Sequence, residues 1–155
     1  MPLPTLRRCL HIALLCALGA VAAAARAQST PEGLWKTVDD ETGQARSLIR
    51  ISASAGVYTA RIEKLLEPGR RPDTVCEKCT DERKDRPLVG MTLMKGVTHS
   101  ESDPERWDGG EILDPGNGKV YKVRLTPAGD GKTMAVRGYI GTPLLGRTQT
   151  WQRVE

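Results

Sequence analysis

Downstream of residue 32, short runs of alternating apolar and polar side chains are separated by turns rich in Gly, Pro, Asp and Asn. The clearest case is residues 107–125, in which two alternating arms flank the turn sequence Asp-Pro-Gly-Asn-Gly at 114–118. Asn117-Gly118 favours a type I′ turn, because both residue types tolerate a positive φ. The segment is therefore predicted to form a β-hairpin.

The same pattern predicts six further strands, at residues 33–38, 45–53, 57–66, 88–97, 133–140 and 145–154. Together with the hairpin arms this makes about eight strands, with turn signals about every 8 to 12 residues, as in a small all-β domain. We expect an antiparallel up-and-down barrel of about eight strands, with a β-sandwich as the alternative. The paired glycines Gly109-Gly110 indicate a bulge or a close approach of two backbones.

The first residues have the pattern of a signal peptide. Arg7 and Arg8 precede an apolar run at 9–25, and the small-x-small sequence at 25–27 follows it. We predict cleavage after Ala27, which leaves residues 28–155 as a single domain exported to the periplasm; a retained membrane anchor is the alternative. Contact with a membrane is then expected only during export.

Removal of this segment changes the charge. It takes away Arg7, Arg8 and Arg26 and no acidic residue, so the formal net charge falls by three, from +4 to +1. The mature chain therefore lacks the strongly basic balance of a nucleic-acid-binding protein.

Residues 67–87 form a long, charged and proline-containing segment that carries Cys76 and Cys79, the two cysteines of the mature chain. Loops of this length are usually functional or disordered. Cys76-Glu77-Lys78-Cys79 has three interpretations: a structural disulfide, a redox-active dithiol or part of a zinc site. An oxidising compartment and an all-β context favour the disulfide. A closed zinc site needs four ligands, usually Cys or His, and the mature chain adds only His99 to the two cysteines, so no metal is expected.

Catalytic signatures are missing from the sequence. His99 has no serine or cysteine nucleophile with a recognisable motif beside it, and we interpret it as a surface histidine. Asp108, Glu111 and Asp114 lie close in sequence, but the last precedes a proline and is typical of a turn. No nucleotide-binding loop or metalloprotease motif occurs, so we expect a protein that is not an enzyme and that carries no cofactor.

Polar and aromatic residues within predicted strands point to ligand binding. Arg137 and Tyr139 lie on a strand that should neighbour the strand of Tyr121. If they face inward, they require buried partners or an anionic or polar ligand.

With these residues in view, the chain resembles the uncharacterised bacterial family called domain of unknown function 2147. The resemblance covers nearly all of the mature chain and rests on Gly33-Leu34-Trp35, Gly56-Val57-Tyr58, Cys76-Glu77-Lys78-Cys79, Pro87-Leu88-Val89-Gly90, residues 107–115, residues 136–141, Leu145-Gly146-Arg147 and Trp151-Gln152-Arg153. It implies an exported protein with a lipocalin-like β-barrel, and it supplies no activity.

Lipocalin-type barrels are also similar to this chain in opening with Gly-x-Trp, here Gly33 and Trp35. They place a basic residue of the last strand against that tryptophan, a role that Arg153 fits through cation–π stacking. The resemblance implies that Trp35 and Arg153 close one end of the barrel.

These observations predict a periplasmic protein that binds a small molecule, anionic or lipid-like, inside the barrel. The residues expected to line or gate the ligand site are Tyr58, Trp107, Tyr121, Arg137 and Tyr139. Two alternatives are an envelope interaction module that uses the loop at 67–87, and a thiol redox protein acting through Cys76 and Cys79.

Overall fold

The computed structural model describes residues 29–155, so the predicted signal peptide lies outside the described residues. Nine antiparallel strand segments make up one sheet. They are β1 (Gly33–Val38), β2 (Ala45–Ser54), β3 (Val57–Leu65), β4 (Thr92–His99), β5 (Trp107–Asp108), β6 (Glu111–Asp114), β7 (Lys119–Pro127), β8 (Thr133–Tyr139) and β9 (Arg147–Arg153). A 3₁₀ helix, Pro143–Leu145, lies between β8 and β9. Within residues 29–155, no helix has the length and apolar character that crossing a membrane requires.

The sheet closes on itself. The strand order is β3-β2-β1-β9-β8-β7, then β5 and β6, then β4, and β4 pairs again with β3 through Val57↔Thr98 and Ala60↔Met94. Because β5 and β6 share one place between β4 and β7, the barrel has eight positions around its circumference. The predicted all-β, eight-stranded antiparallel barrel is confirmed, and the β-sandwich alternative is wrong.

Alternation of side chains along the strands supplies the core of the barrel. Odd-numbered residues of β7 and even-numbered residues of β8 point inward, and Val123, Leu125, Met134 and Val136 are all buried. A strand has a side-chain period of two, so one face of each strand supplies the core while the other meets water.

The predicted hairpin is present, with two differences. Its first arm is split into β5 and β6 at Gly109-Gly110, where a Cβ on Gly110 would lie 2.4 Å from the Lys95 carbonyl oxygen; the predicted close backbone approach is confirmed. The prediction of a type I′ turn at Asn117-Gly118 is wrong. Residues 115–118 form a longer loop in which Gly118 has φ +75° and donates its N–H to the Asp114 carbonyl at 2.8 Å, and Asn117 keeps a negative φ.

Two strands also begin later than predicted. β4 begins at Thr92 instead of residue 88, because residues 88–91 turn the chain and bury Leu88 and Met91. The Met91 N–H bonds the Leu88 carbonyl at 3.0 Å, while the Gly90 N–H bonds the Ile62 carbonyl at 2.7 Å. β9 begins at Arg147, since the preceding residues form the 3₁₀ helix.

Candidate functional site

The up-and-down order sorts the connections between the two ends of the barrel. One end, called the packed end here, carries both described chain termini and the short turn between β2 and β3. The other end, called the open end, carries the connections 39–44, 66–91, 115–118 and 140–146.

Trp35 and Arg153 close the packed end. Trp35 is fully buried, its Nε1–H donates to the Pro31 carbonyl at 2.7 Å, and the Arg153 guanidinium lies 4.2 Å from the ring centroid. The predicted contact of these two residues is therefore present. Arg153 also donates to the carbonyl oxygens of Gly131, Glu32 and Thr30 at 2.6–2.7 Å, which draws the N-terminal segment across the base. Burial lowers the pKa of Arg153.

Apolar side chains fill the interior above this closure. Those that are no more than 1% exposed include Ile51, Ala60, Met94, Val97, Leu125 and Met134. Such packing leaves no room for a ligand in this half of the barrel.

The other half is hollow. A cavity of about 810 Å³ opens at the open end. Its apolar wall includes Ile49, Ile62, Leu65, Leu88, Leu93, Ile112, Leu113, Val136 and Trp151. This volume lies within the roughly 300–1,000 Å³ range of small-molecule sites.

Gly138 helps to keep this half empty. It follows Met134 and Val136 on the inward face of β8, where a side chain would enter the cavity. A Cβ placed there would meet Tyr121 Cβ at 3.5 Å, an ordinary contact, so the position has room for a side chain that the sequence does not provide.

Several polar groups interrupt the apolar wall. The hydroxyl groups of Thr37 and Ser47 are hydrogen-bonded to each other at 2.7 Å, and Gln149 lies on the same lining. Asn117 Nδ2 donates to the Tyr121 hydroxyl at 3.0 Å. The buried Nε1–H of Trp151 has no hydrogen-bond acceptor within residues 29–155. The lining therefore combines a large apolar surface with a few fixed polar groups, the usual composition of a ligand site.

Arginines at the mouth are paired with carboxylates. Arg46 bonds Glu67 at 2.9 Å, Arg70 bonds the same carboxylate, and Arg147 bonds Asp40 at 2.6 Å. Partial burial opposes ionisation of Glu67, but hydrogen bonds from Arg46 and Arg70 outweigh it and lower its pKa. These arginines therefore form part of a charge-balanced rim and do not make a strongly cationic mouth.

The segment at 67–87 forms one wall of this mouth. Cys76 and Cys79 are joined in a disulfide, as predicted, and both are at most 2% exposed. Gly118 packs against the backbone of this segment so closely that a Cβ would lie 1.8 Å from the Lys78 carbonyl oxygen. Burial of both sulfur atoms blocks the approach of an exchanging thiolate, which disfavours the redox interpretation. Within residues 29–155, no cluster of three potential metal-ligating acids, cysteines or histidines occurs.

The five candidate ligand residues separate into two groups. Tyr121 and Tyr139 line the cavity. Tyr58 and Trp107 do not; their rings pack against each other at 6.3 Å near the packed end, and Trp107 is buried there. His99 stacks edge-on against Trp107 at 4.8 Å and bonds the Pro104 carbonyl, so it lies away from the cavity.

Arg137 requires a correction. It does not line the cavity, because alternation along β8 places it on the outer face, where Nε bonds the Pro143 carbonyl at 2.7 Å and Nη1 bonds Thr148 Oγ1 at 2.8 Å. Tyr139 lies two residues after Arg137 and so belongs to the same face of β8. It still lines the cavity, because it is the last residue of β8, where the chain leaves the sheet at the mouth. Sequence reasoning missed Thr37, Ser47, Gln149 and Trp151, although their inward parity on predicted strands was a usable signal.

Comparisons with known proteins agree with the fold. No curated protein matches the chain. Among solved structures it is similar to protein HP1028 from the human pathogen Helicobacter pylori, described as belonging to the lipocalin family, with a TM-score of 0.67 and 17% identity over 80% of this chain and 82% of that chain. At this identity the similarity concerns the fold alone. The family model described as an uncharacterized protein conserved in bacteria, DUF2147, matches residues 33–153, and the chain therefore belongs to this family.

Proposed function

We propose that this protein is exported to the periplasm and binds one small amphiphilic molecule in the hollow half of its barrel. The observation that carries the proposal is the cavity of about 810 Å³, closed below by packed side chains and open at the other end. An eight-stranded barrel has room for one small ligand when its interior is not filled by its own side chains.

The lining supports a lipid-like ligand over an anionic one. The deeper wall is apolar, with Ile62, Leu93 and Trp151, and would accept the hydrocarbon part of the molecule. Tyr121, Tyr139 and Gln149 would contact its polar end by hydrogen bonds. Because the rim arginines are already paired with carboxylates, an anionic headgroup would have to displace Glu67 or Asp40 to bind them.

Binding can be tested with N-phenyl-1-naphthylamine, a fluorescent apolar probe, and with a series of fatty acids that compete for its site. We expect saturable binding to the wild type. Gly138→Leu should weaken binding by about tenfold or more, because the new side chain occupies the cavity. Gly129→Leu is the matched control, since Gly129 lies in the exposed turn between β7 and β8 with no atom within 4 Å of its Cβ position.

Native mass spectrometry of protein released gently from the periplasm gives an independent measurement, with a bound small molecule as the expected result. A wild type that retains no ligand and binds neither the probe nor the fatty acids would refute the proposal. Equal loss of binding in Gly138→Leu and Gly129→Leu would place the probe outside the cavity.

Export is tested separately. Two features support it: the charged, apolar and small-residue pattern of residues 1–27, and the disulfide, which is typical of oxidising compartments. The mature protein should begin at Gln28 when its N-terminus is sequenced, and should be recovered by osmotic shock. Retention of Met1 in the recovered protein would contradict this.

A further inference from the structure

The loop between β8 and β9, residues 140–146, carries an exposed apolar surface. Ile140, Leu144 and Leu145 are 60%, 89% and 81% exposed, and the 3₁₀ helix buries none of its residues. A single exposed apolar side chain is ordinary, but three large ones within six positions form a patch of the kind that marks an interaction site. We call residues 140–146 the mouth loop.

The mouth loop is held in this conformation by the outer face of the barrel. Arg137 bonds the carbonyl oxygens of Pro143 and Leu144, at 2.7 and 3.4 Å. Gly146 packs so closely on β8 that a Cβ would lie 2.6 Å from the Gly138 carbonyl oxygen and 2.8 Å from Tyr139 Cβ. The leucine side chains are therefore directed outward by a braced backbone.

The exposed patch is continuous with the cavity. Ile140 and Leu145 are both solvent-exposed and part of the cavity lining, whereas Leu144 is exposed and lies outside that lining. Ile140 and Leu145 therefore belong to the same cavity lining as the apolar inner wall, which includes Ile112 and Leu65.

Size and charge indicate the kind of partner. Three apolar side chains are few beside the roughly 20–30 residues that each partner contributes to a stable protein interface. Burial of a few large apolar side chains in lipid requires no such matching surface. Two arginines lie beside the mouth loop. Arg147 is paired with Asp40, and Arg137 bonds the backbone of the loop itself. One unpaired positive charge is far fewer than the cluster of basic residues that holds a protein to anionic lipid, so attraction to anionic groups contributes little.

We propose that the mouth loop inserts Leu144, Leu145 and Ile140 into the surface of a lipid bilayer and so places the cavity mouth against the lipid. This attachment is apolar in origin. It brings the hydrocarbon of the bilayer to the rim of the cavity at Ile140 and Leu145, so a lipid-like molecule could enter the cavity directly from the bilayer. The attachment stands on the mouth loop alone, while this route of entry rests on the proposed function.

The test is flotation of the purified mature protein with vesicles of phosphatidylcholine, alone and mixed with phosphatidylglycerol. The wild type should bind both kinds of vesicle, and binding should survive a several-fold increase in salt. Leu144→Asp should lower the partition coefficient by about tenfold or more, because aspartate is strongly disfavoured in the apolar region. Val154→Asp is the matched control: Val154 is 52% exposed but lies at the packed end, so binding should be unchanged.

Three results would overturn the attachment. They are failure of the wild type to float, wild-type binding that requires phosphatidylglycerol and disappears with salt, and equal binding of Leu144→Asp and wild type. Sedimentation without vesicles gives a fourth: a wild-type dimer that Leu144→Asp converts to a monomer would assign the patch to a second copy of this chain.

Probe binding in solution separates this proposal from the previous one. Leu144 does not line the cavity, so Leu144→Asp should bind N-phenyl-1-naphthylamine as the wild type does. Loss of flotation with intact probe binding is the expected result for this variant. A wild type that floats but binds no probe would keep the attachment and refute the cavity proposal.

Discussion

The two ends of this barrel are built from the same strands, but one end has a filled interior and the other encloses a cavity. At the packed end, inward side chains such as Ile51, Met94 and Met134 are buried and fill the interior, which is closed off by the stacked pair of Trp35 and Arg153. At the open end the same strands present Thr37, Ser47 and Gly138, which are small, and the interior stays empty. The residues that stabilise the barrel and those that form the cavity are therefore separated along the barrel axis, and a few small inward residues mark the boundary.

The largest expected contrast comes from one substitution made at both ends. Ile51→Ala removes a side chain that is 1% exposed in the packed end, and should cost about 2–5 kcal/mol of unfolding free energy. Ile112→Ala should cost clearly less, because Ile112 is only half-buried and already faces empty space on one side. Urea denaturation followed by circular dichroism measures both; equal losses would mean that the two ends are packed alike.

Adding volume should give the second contrast. Ala60 has no exposed surface, so Ala60→Leu forces neighbouring side chains out of place and should destabilise by about 1–3 kcal/mol. Gly138→Leu adds a larger group to the open end, yet we expect a change within about 1 kcal/mol, because the space is available there. Thermal unfolding of the two variants makes the comparison, and a strongly destabilised Gly138→Leu would argue that the cavity collapses in solution.

The turn at the mouth offers a smaller, local effect. In Gly118→Ala the new methyl group meets the Lys78 carbonyl at a φ that alanine disfavours, so the wall at residues 76–79 must move. We expect a loss of about 1–2 kcal/mol. Gly129→Ala, in open space, should be close to neutral. Hydrogen exchange should localise the change to the mouth, and faster exchange in β1 and β2 would show that the wall supports the whole barrel.

The features of this structure that could be predicted from the sequence are those that depend on residues close together in the chain or on a recognisable motif. Alternation in residues 119–139 was enough to assign β7 and β8, and Trp35 with Arg153 carried a recognisable pairing. The face of Arg137 followed from the same alternation, because Met134 and Val136 mark the inward face of β8 and leave Arg137 on the outer one, and the prediction did not use this signal. The position of the cavity could not be predicted, because it depends on loops that are far apart in sequence, such as 66–91 and 115–118.

The closure of the packed end and two contacts of the mouth wall depend on arginines with different kinds of partner, and acid should distinguish them. Arg153 bonds backbone carbonyl oxygens, which do not titrate in the accessible range. Arg46 and Arg83 bond carboxylates in and beside the mouth wall, those of Glu67 and Asp81. Falling pH should therefore weaken the contacts of Arg46 and Arg83 while the closure by Trp35 and Arg153 remains.

The pKa of Asp81 sets the lowest pH at which these carboxylate–arginine contacts should persist. Hydrogen bonds from the Arg83 side chain, and then from its backbone N–H, lower the pKa of Asp81 from 3.8 to about 2. Since the folded pKa is the lower one, the stabilisation is complete above 3.8 and is lost as the pH falls through about 2. Carbon-13 NMR of the Asp81 carboxyl should give a midpoint near this value, and Arg83→Gln should move it back towards 3.8. Because the Asp81 side chain is 31% exposed and so partly screened by water, the effect on global stability should be the smallest of those considered. An unchanged midpoint in Arg83→Gln would mean that the arginine does not hold this part of the wall.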